Sequence, residues 1–332
     1  MSKPAAHHAP LPVALADLEA AQTRIASHAR ITPVLRHEEL DARAGGQVFL
    51  KAEVLQRTGA FKFRGAFNKI AGLDPAARAR GVVAFSSGNH AQAVAAVAQI
   101  FGVPATIVMP SDAPETKIRG TRHYGADVRL YDRVRESREA IAAGIVQESG
   151  ATLVPPFDDP AIIAGQGTAG LELMAQCGGA LDAVLVPASG GGLAAGVSVG
   201  VKARSPLAEI WLCEPEGFDD WGRSLRAGQI ERNIALSGSI CDALLAPQPG
   251  TITFAVNHAL AAGGVAVSDD EVLAAMAWAW RNLKIVVEPG GAVGLAAILT
   301  GKFDAGKKRV GVILSGGNVE DAMMMRALSE HD

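Results

Sequence analysis

Aromatic residues are scarce in this chain, 5% of 332 positions, and its three cysteines, Cys177, Cys213 and Cys241, show no CxxC spacing. An odd, scattered set of thiols gives no disulfide framework and fits a reducing compartment, with each thiol reading as small apolar filler. Long hydrophobic runs are missing: none reaches the ~20 residues that cross a bilayer. The opening MSKPAAHHAPLPVALADLEA also lacks a charged stretch feeding a continuous apolar one, so no export signal is expected. These absences point to a cytoplasmic chain with no membrane partner. Positive charge is not in surplus either. The formal net charge is -3, with Lys and Arg dispersed, which leaves no basic surface for nucleic acid.

What the chain does hold is small and apolar residues. There are 37 glycines, and the apolar fraction is 49% against 20% charged, a composition of compact soluble enzymes with closely packed helices. Single cores stop growing at roughly 250–300 residues, so a chain of 332 predicts two lobes with a site between them. From Gly81 a unit recurs: a β-branched run, a polar or glycine-rich corner, then an Ala-rich amphipathic stretch. GVVAF (81–85) leads to a helix near Ala91–Phe101, ATIVM (105–109) to Glu115–Tyr124 and DVRLY (127–131) to Glu136–Glu148. A second series follows, with AVLVPAS (183–189) before Gly190–Arg204, EIWLCEP (209–215) before a helix near Trp221, and RVGVILSGG (309–317) before Val319–Leu328. These are βα units, which predict an α/β fold with open parallel sheets covered by helices. Pro155 and Pro156 in VPPFDDP mark a hinge between the two series.

Ligands bind beyond the carboxyl ends of strands in such sheets, and the chemically interesting residues fall there. SGGGLAAG (189–196) places three glycines between a strand and a helix. Consecutive backbone N–H groups can then converge on one anion, helped by the helix N-terminus, although a plain tight turn reads equally well. SSGNH (86–90) and LSGGN (314–318) offer hydroxyls and amides at two more corners; taken singly, each reads as a helix cap. CEPEGFDD holds Glu214, Glu216, Asp219 and Asp220. Glu214 and Asp220 with an intervening carbonyl could serve a hard cation, against the alternative of a solvated acidic loop. Glu214 directly follows a buried-looking strand, so its carboxylate needs compensation.

TGAFKFRGA (58–66) sets Lys62 between two phenylalanines, surroundings that lower an amine's pKa and make it a usable base and nucleophile. One desolvated lysine, a glycine cradle and several polar corners together describe what pyridoxal phosphate needs: an amine for its aldehyde, a site for its phosphate and partners for its ring.

The blocks KAEVLQRTGAFKFRGA, SSGNHAQAVA, YGADV, RESREA, IAGQGTAGLE, PASGGGLAAG, CEPEGFDD, VVEPGGAVGLAA and LSGGNVE run in order from residue 51 to 320. In them the chain resembles the serine/threonine dehydratase and serine racemase group of fold type II pyridoxal-phosphate enzymes, with a 3-hydroxyaspartate dehydratase branch. The resemblance implies a tryptophan synthase β-like fold. Its large cofactor-binding domain would comprise 1–70 and 156–332, with 71–155 a small mobile domain. It further implies that Lys62 is the Schiff-base lysine, that Phe61 packs on the cofactor ring, that Asn89 bonds the ring's 3′-oxygen and that Ser315 partners the pyridine nitrogen. Ser189, Gly190, Gly191, Gly192 and Leu193 correspond to the phosphate loop. Ser86, Ser87, Gly88 and His90 would hold the substrate carboxylate, with Arg138 a second candidate for closing on it. Ser87 also matches the acid or base opposite the lysine in racemases. Glu214, the carbonyl of Phe218 and Asp220 match a divalent cation site for Mg, Mn or Ca, and a homodimer is implied.

Three departures stand out. Ala60 replaces a serine of the usual TGSFK, Ser189 replaces the first of four glycines, and Asp242-Ala243 stands where an Asp-Gly pair is common. The implied reaction is β-elimination. The lysine amine removes the Cα proton, and a β-hydroxy amino acid becomes a 2-oxo acid and ammonia. Threonine or serine is the first expectation and 3-hydroxyaspartate a close rival. The rival needs an extra cation, for which Arg57, His123 and Arg135 are available in sequence, surface solvation being the plainer reading of each. Amino-acid racemisation and non-catalytic ligand binding are the alternatives. The matching blocks stop near Glu320 without a regulatory domain beyond, which favours a catabolic role.

Overall fold

The computed structural model describes residues 10–331 apart from Pro114 and Leu236, so part of the opening segment considered above, residues 1–9, lies outside the described residues. The chain begins one sheet with β1 (Val34–Leu35) and β2 (Gln47–Ala52) and then leaves it. It builds a second sheet from β3 (Val82–Phe85), β4 (Ala105–Pro110), β5 (Asp127–Tyr131) and β6 (Thr152–Leu153). It returns for β7 (Ala183–Pro187), β8 (Glu209–Pro215), β9 (Gly263–Val267) and β10 (Arg309–Leu314). The six-stranded order is β1-β2-β10-β7-β8-β9 and the four-stranded order β5-β4-β3-β6. Every pairing is parallel except that of β1 with β2.

The strand runs expected over 127–131 and 209–215 form residue for residue. AVLVPAS ends sooner, at Pro187, because its last residues turn into the corner. All five residues of β7 are buried, as an apolar strand covered on both faces must be. Helices press against each other where glycines leave room. A Cβ on Gly196 of the helix Gly192–Arg204 would lie 2.6 Å from the Gly167 nitrogen of the helix Pro160–Gln176. The latter helix starts cleanly after VPPFDDP: Asp159 accepts from the amides of Ala161 and Ile162, and Pro160 fills the first turn.

A buried charge network holds the helix Lys62–Ala71 in place. Arg64 Nε donates to Glu53 at 2.7 Å and its Nη1 to Glu172 at 2.7 Å, while Lys51 Nζ donates to the other Glu172 oxygen at 2.6 Å. Arg64, Glu53 and Lys51 are fully buried. Lys51 lies on β2 and Glu172 on the helix Pro160–Gln176, so three elements of the six-stranded unit are locked behind Lys62.

Candidate active site

The carboxyl ends of β3, β7 and β10 open on one cavity of about 220 Å³. Phe61 and Lys62, the Ser86–His90 corner, Arg138, the Ser189–Leu193 turn and Ser315 all line it. Residues more than 250 positions apart meet because the segments after Thr58 and Leu314 are laced together. Phe61 N donates to Ser315 O at 3.0 Å, Gly317 N to Gly59 O at 2.9 Å, and Ala60 bridges Gly316. Ala60 therefore sits in backbone pairing at the step that aims Lys62.

Lys62 Nζ lies 5.2 Å from the Phe61 ring centre and donates to Pro156 O at 2.6 Å. Burial pushes its pKa down to about 8, with Glu288 pulling the other way. The glycine turn faces it. Ser189 O accepts from the Trp221 indole, Gly190 O from Thr253 Oγ1 at 2.6 Å, and Gly191 O from Asn257 Nδ2 at 3.2 Å. In a planar trans peptide the next N–H points opposite to the carbonyl, so the amides of Gly190, Gly191 and Gly192 are turned away from these partners. No larger residue fits this turn. Gly191 has φ +92°, and a Cβ there would lie 2.1 Å from Trp221, while one on Gly190 would lie 2.3 Å from the Phe157 ring. An amide-lined cradle closed to side chains beside a desolvated amine fits a phosphate-bearing aldehyde such as pyridoxal phosphate.

The imidazole of His90 is constrained. Its Nε2 lies 2.9 Å from Val154 O, so that nitrogen carries the proton, and Nδ1 is buried without a partner. Burial, then the Lys62 charge, pushes its pKa down to about 3. The ring is neutral and offers only a lone pair, which leaves its backbone N–H as the donor for an anion. Arg138 stacks its guanidinium 5.2 Å from the Phe85 ring centre and pairs with Glu139 at 2.8 Å.

Arg57, His123 and Arg135, named as cations for a distal carboxylate, do not reach this cavity. Arg57 borders a separate one of about 510 Å³ with Thr58 and Tyr124, Arg135 is 85% exposed beside Asp132, and His123 packs edge-on against Tyr124. The cavity takes a different cation, Lys117, whose side chain is 16% exposed and pairs with Asp242. It comes from the helix Glu115–His123, a polar segment with nothing in its sequence to aim it. Glu288 was missed as well. It is 5% exposed and lines the cavity, and it accepts from Asn89 Nδ2 at 2.6 Å. Burial, then Asp242, raises its pKa to about 7 against the Asn89 hydrogen bond, Lys117 and Lys62. Its signal was present in VVEPGG, an acid directly after an apolar run.

Glu214, Phe218 and Asp220 are buried outside the cavity. Glu214 accepts from the amides of Trp221 at 2.8 Å and Gly222 at 2.9 Å; Asp220 Oδ1 accepts from Asn233 at 2.7 Å, and its Oδ2 is buried without a partner. Burial raises both carboxyl groups, Asp220 to about 7 and Glu214 well above its ordinary range, where Asp220 adds to the effect. A partnerless oxygen and a destabilised carboxylate pair fit a cation. Among the described residues no cluster of three or more His, Cys, Asp or Glu forms, so a third protein ligand here would be a neutral oxygen, such as a main-chain carbonyl.

A family model described as pyridoxal-phosphate dependent enzyme matches residues 25–316. An L-threo-3-hydroxyaspartate ammonia-lyase from a Pseudomonas species is 44% identical over 92% of this chain and 95% of its own length. Among solved structures, a threonine deaminase from T.th. superposes with a TM-score of 0.86 at 44% identity, covering 92% of this chain and 99% of that one. The serine racemase of Dictyostelium discoideum superposes with a TM-score of 0.88 at 39% identity, covering 93% and 99%.

Proposed function

Since this chain belongs to the pyridoxal-phosphate-dependent enzymes, we propose that it is an ammonia-lyase acting on β-hydroxy amino acids, with L-threo-3-hydroxyaspartate its favoured substrate. One observation carries the reading: the desolvated Lys62 amine and the glycine cradle border the same cavity. The amides of Gly190, Gly191, Gly192 and Leu193 with Ser189 would hold the phosphate, Phe61 would pack on the ring, and Asn89 and Ser315 would fix its edges. Bound there, pyridoxal phosphate supplies the aldehyde that holds the substrate's amino group and a ring that absorbs negative charge at Cα.

The remaining chemistry belongs to side chains of this chain. The Ser86 and Ser87 hydroxyls with the N–H groups of Gly88 and His90 hold the α-carboxylate. Lys62 Nζ takes the Cα proton, which a pKa near 8 suits. The β-hydroxyl leaves as water with a proton from the Lys62 ammonium, and the released enamine hydrolyses in solution to a 2-oxo acid and ammonia. Two further cations on the cavity, Lys117 and Arg138, favour a substrate with a second carboxylate over serine or threonine. Ser87 on the same wall supports a secondary racemisation, as in the serine racemase neighbour.

The lobe 71–155 carries the Ser86–His90 corner, Lys117 and Arg138, and its closing on 1–70 plus 156–332 would complete the site. Glu214, Phe218 O and Asp220 would hold a divalent cation. A homodimer in the cytoplasm is the expected state. Incubating the purified holoenzyme with L-threo-3-hydroxyaspartate, L-serine and L-threonine tests the reading. Ammonia and 2-oxo acid should appear in equal amounts, fastest from the dicarboxylate. No turnover of any of the three would remove the assignment, and equal rates would remove the substrate preference.

A further inference from the structure

The reaction as described leaves one buried acid without a task. The Glu288 backbone is pinned to the end of β10, where its N–H donates to Gly316 O at 2.9 Å. Its carboxyl group lies so close over Gly316 that a Cβ there would meet Oε1 at 2.2 Å. The side chain reaches the opposite lobe at Asn89 Nδ2, 2.6 Å away. The Asn89 amide is oriented from its other end. Asn318 Nδ2 donates to Asn89 Oδ1 at 2.8 Å and to Thr58 O at 2.7 Å. With Oδ1 so engaged and one Nδ2 hydrogen on Glu288, a single Asn89 hydrogen remains for the cavity. Glu288 thus lies over Gly316, next in the chain to Ser315, and bonds Asn89; Ser315 and Asn89 are the two residues assigned to the edges of the cofactor ring.

We propose that Glu288 is a positioning residue for the bound cofactor: acting through Asn89, its charge state sets the protonation of the ring oxygen. The inference rests on the cofactor reading above. An ionised Glu288 places a negative charge behind Asn89, the donor assigned to that oxygen, so the oxygen keeps its proton. A protonated Glu288 removes that charge, and the ionised oxygen is favoured. The charged groups facing Glu288 are Asp242 from the short 3-10 helix Asp242–Leu244, Lys117 from the helix Glu115–His123 and Lys62 from the helix Lys62–Ala71; Asn89 and the neutral His90 complete the lobe opposite. Glu288 titrates near neutrality, at about 7.

The test is an absorbance titration of the holoenzyme without substrate, because the ionised-oxygen form absorbs at longer wavelength than the protonated one. In the wild type the long-wavelength band should give way to the short-wavelength band as pH rises, with a midpoint near 7. Glu288→Gln keeps an acceptor for Asn89 without a charge, and it should hold the long-wavelength form across the neutral range. Two variants at the cavity mouth test the same point without touching the buried acid. Asp242→Asn removes a charge that raises Glu288 and should lower the midpoint, and Lys117→Met removes one that lowers it and should raise the midpoint, each by roughly half a pH unit or more. A wild-type midpoint in Glu288→Gln, or one unmoved in both Asp242→Asn and Lys117→Met, overturns the inference. Absence of any cofactor band from the wild type would instead sink the cofactor reading beneath it.

Discussion

Replacing Gly191 by alanine probes the cradle on which the proposed cofactor site depends. Two costs arise at this residue. Its φ of +92° lies outside the conformations open to an L side chain, a penalty of about 1–2 kcal/mol. The added Cβ would also stand 2.1 Å from Cζ2 of Trp221, which is fully buried and cannot swing into solvent. Overpacking of this kind adds about 1–3 kcal/mol, for a total of about 2–5 kcal/mol by urea denaturation of the cofactor-free protein. Relief can come only by moving the turn, so cofactor affinity should fall by about tenfold or more, since ~1.4 kcal/mol is a factor of ten. The control is Gly102→Ala, with φ +62° and nothing within 4 Å of a Cβ. It bears the backbone cost alone, about 1 kcal/mol, with cofactor affinity unchanged. If Gly191→Ala cost no more than Gly102→Ala and left cofactor affinity intact, the argument that the turn is closed to side chains would fail.

Other perturbations have equally definite outcomes. Arg64→Met leaves Glu53 and Glu172 buried without their main partner and should cost about 3–5 kcal/mol in equilibrium unfolding. Lys117→Met and Arg138→Met should each raise KM for L-threo-3-hydroxyaspartate about tenfold, as loss of a charge-assisted hydrogen bond does, while KM for L-serine changes far less; parallel changes would refute the distal-carboxylate role. At the acidic pair, Asp220 is raised on folding from its ordinary 3.8 to about 7. Above pH 3.8 the unfolded chain has lost this proton while the folded chain keeps it, so this group's contribution falls as pH rises toward 7. A bound cation reverses that loss by favouring the ionised form. The rise in Tm on adding magnesium should therefore be larger at about pH 8 than at about pH 6 and vanish in Asp220→Asn.

The sequence revealed the strand-to-helix corners because strand runs such as VVAF and AVLVP are apolar and valine-rich and give way to serine and glycine. It did not reveal β1 and β6, each only two residues long, β9, which opens on two glycines, or β2; the short ones exist through pairing with stronger neighbours rather than local propensity. Within the site, residues written into a corner were readable as neighbours: Lys62, Ser86–His90 and the Ser189–Leu193 turn line one cavity. Lys117 was not, because only the docking of one lobe on the other turns that polar helix toward the cavity. Glu288 could have been found by the argument already applied to Glu214, an acid that directly follows a buried run. His90 shows the opposite case: the residue was visible, but the acceptor that neutralises its ring, Val154 O, comes from a segment 64 positions away.

The central claim is that the amine of Lys62, and no other, carries the cofactor. Borohydride reduction of the holoenzyme followed by peptide mass mapping reads this directly. The account predicts a single pyridoxyl-phosphate adduct on the peptide containing Lys62, absent from Lys62→Ala. An adduct on Lys51, Lys117 or any other lysine, or none on a protein that turns over substrate, would contradict it.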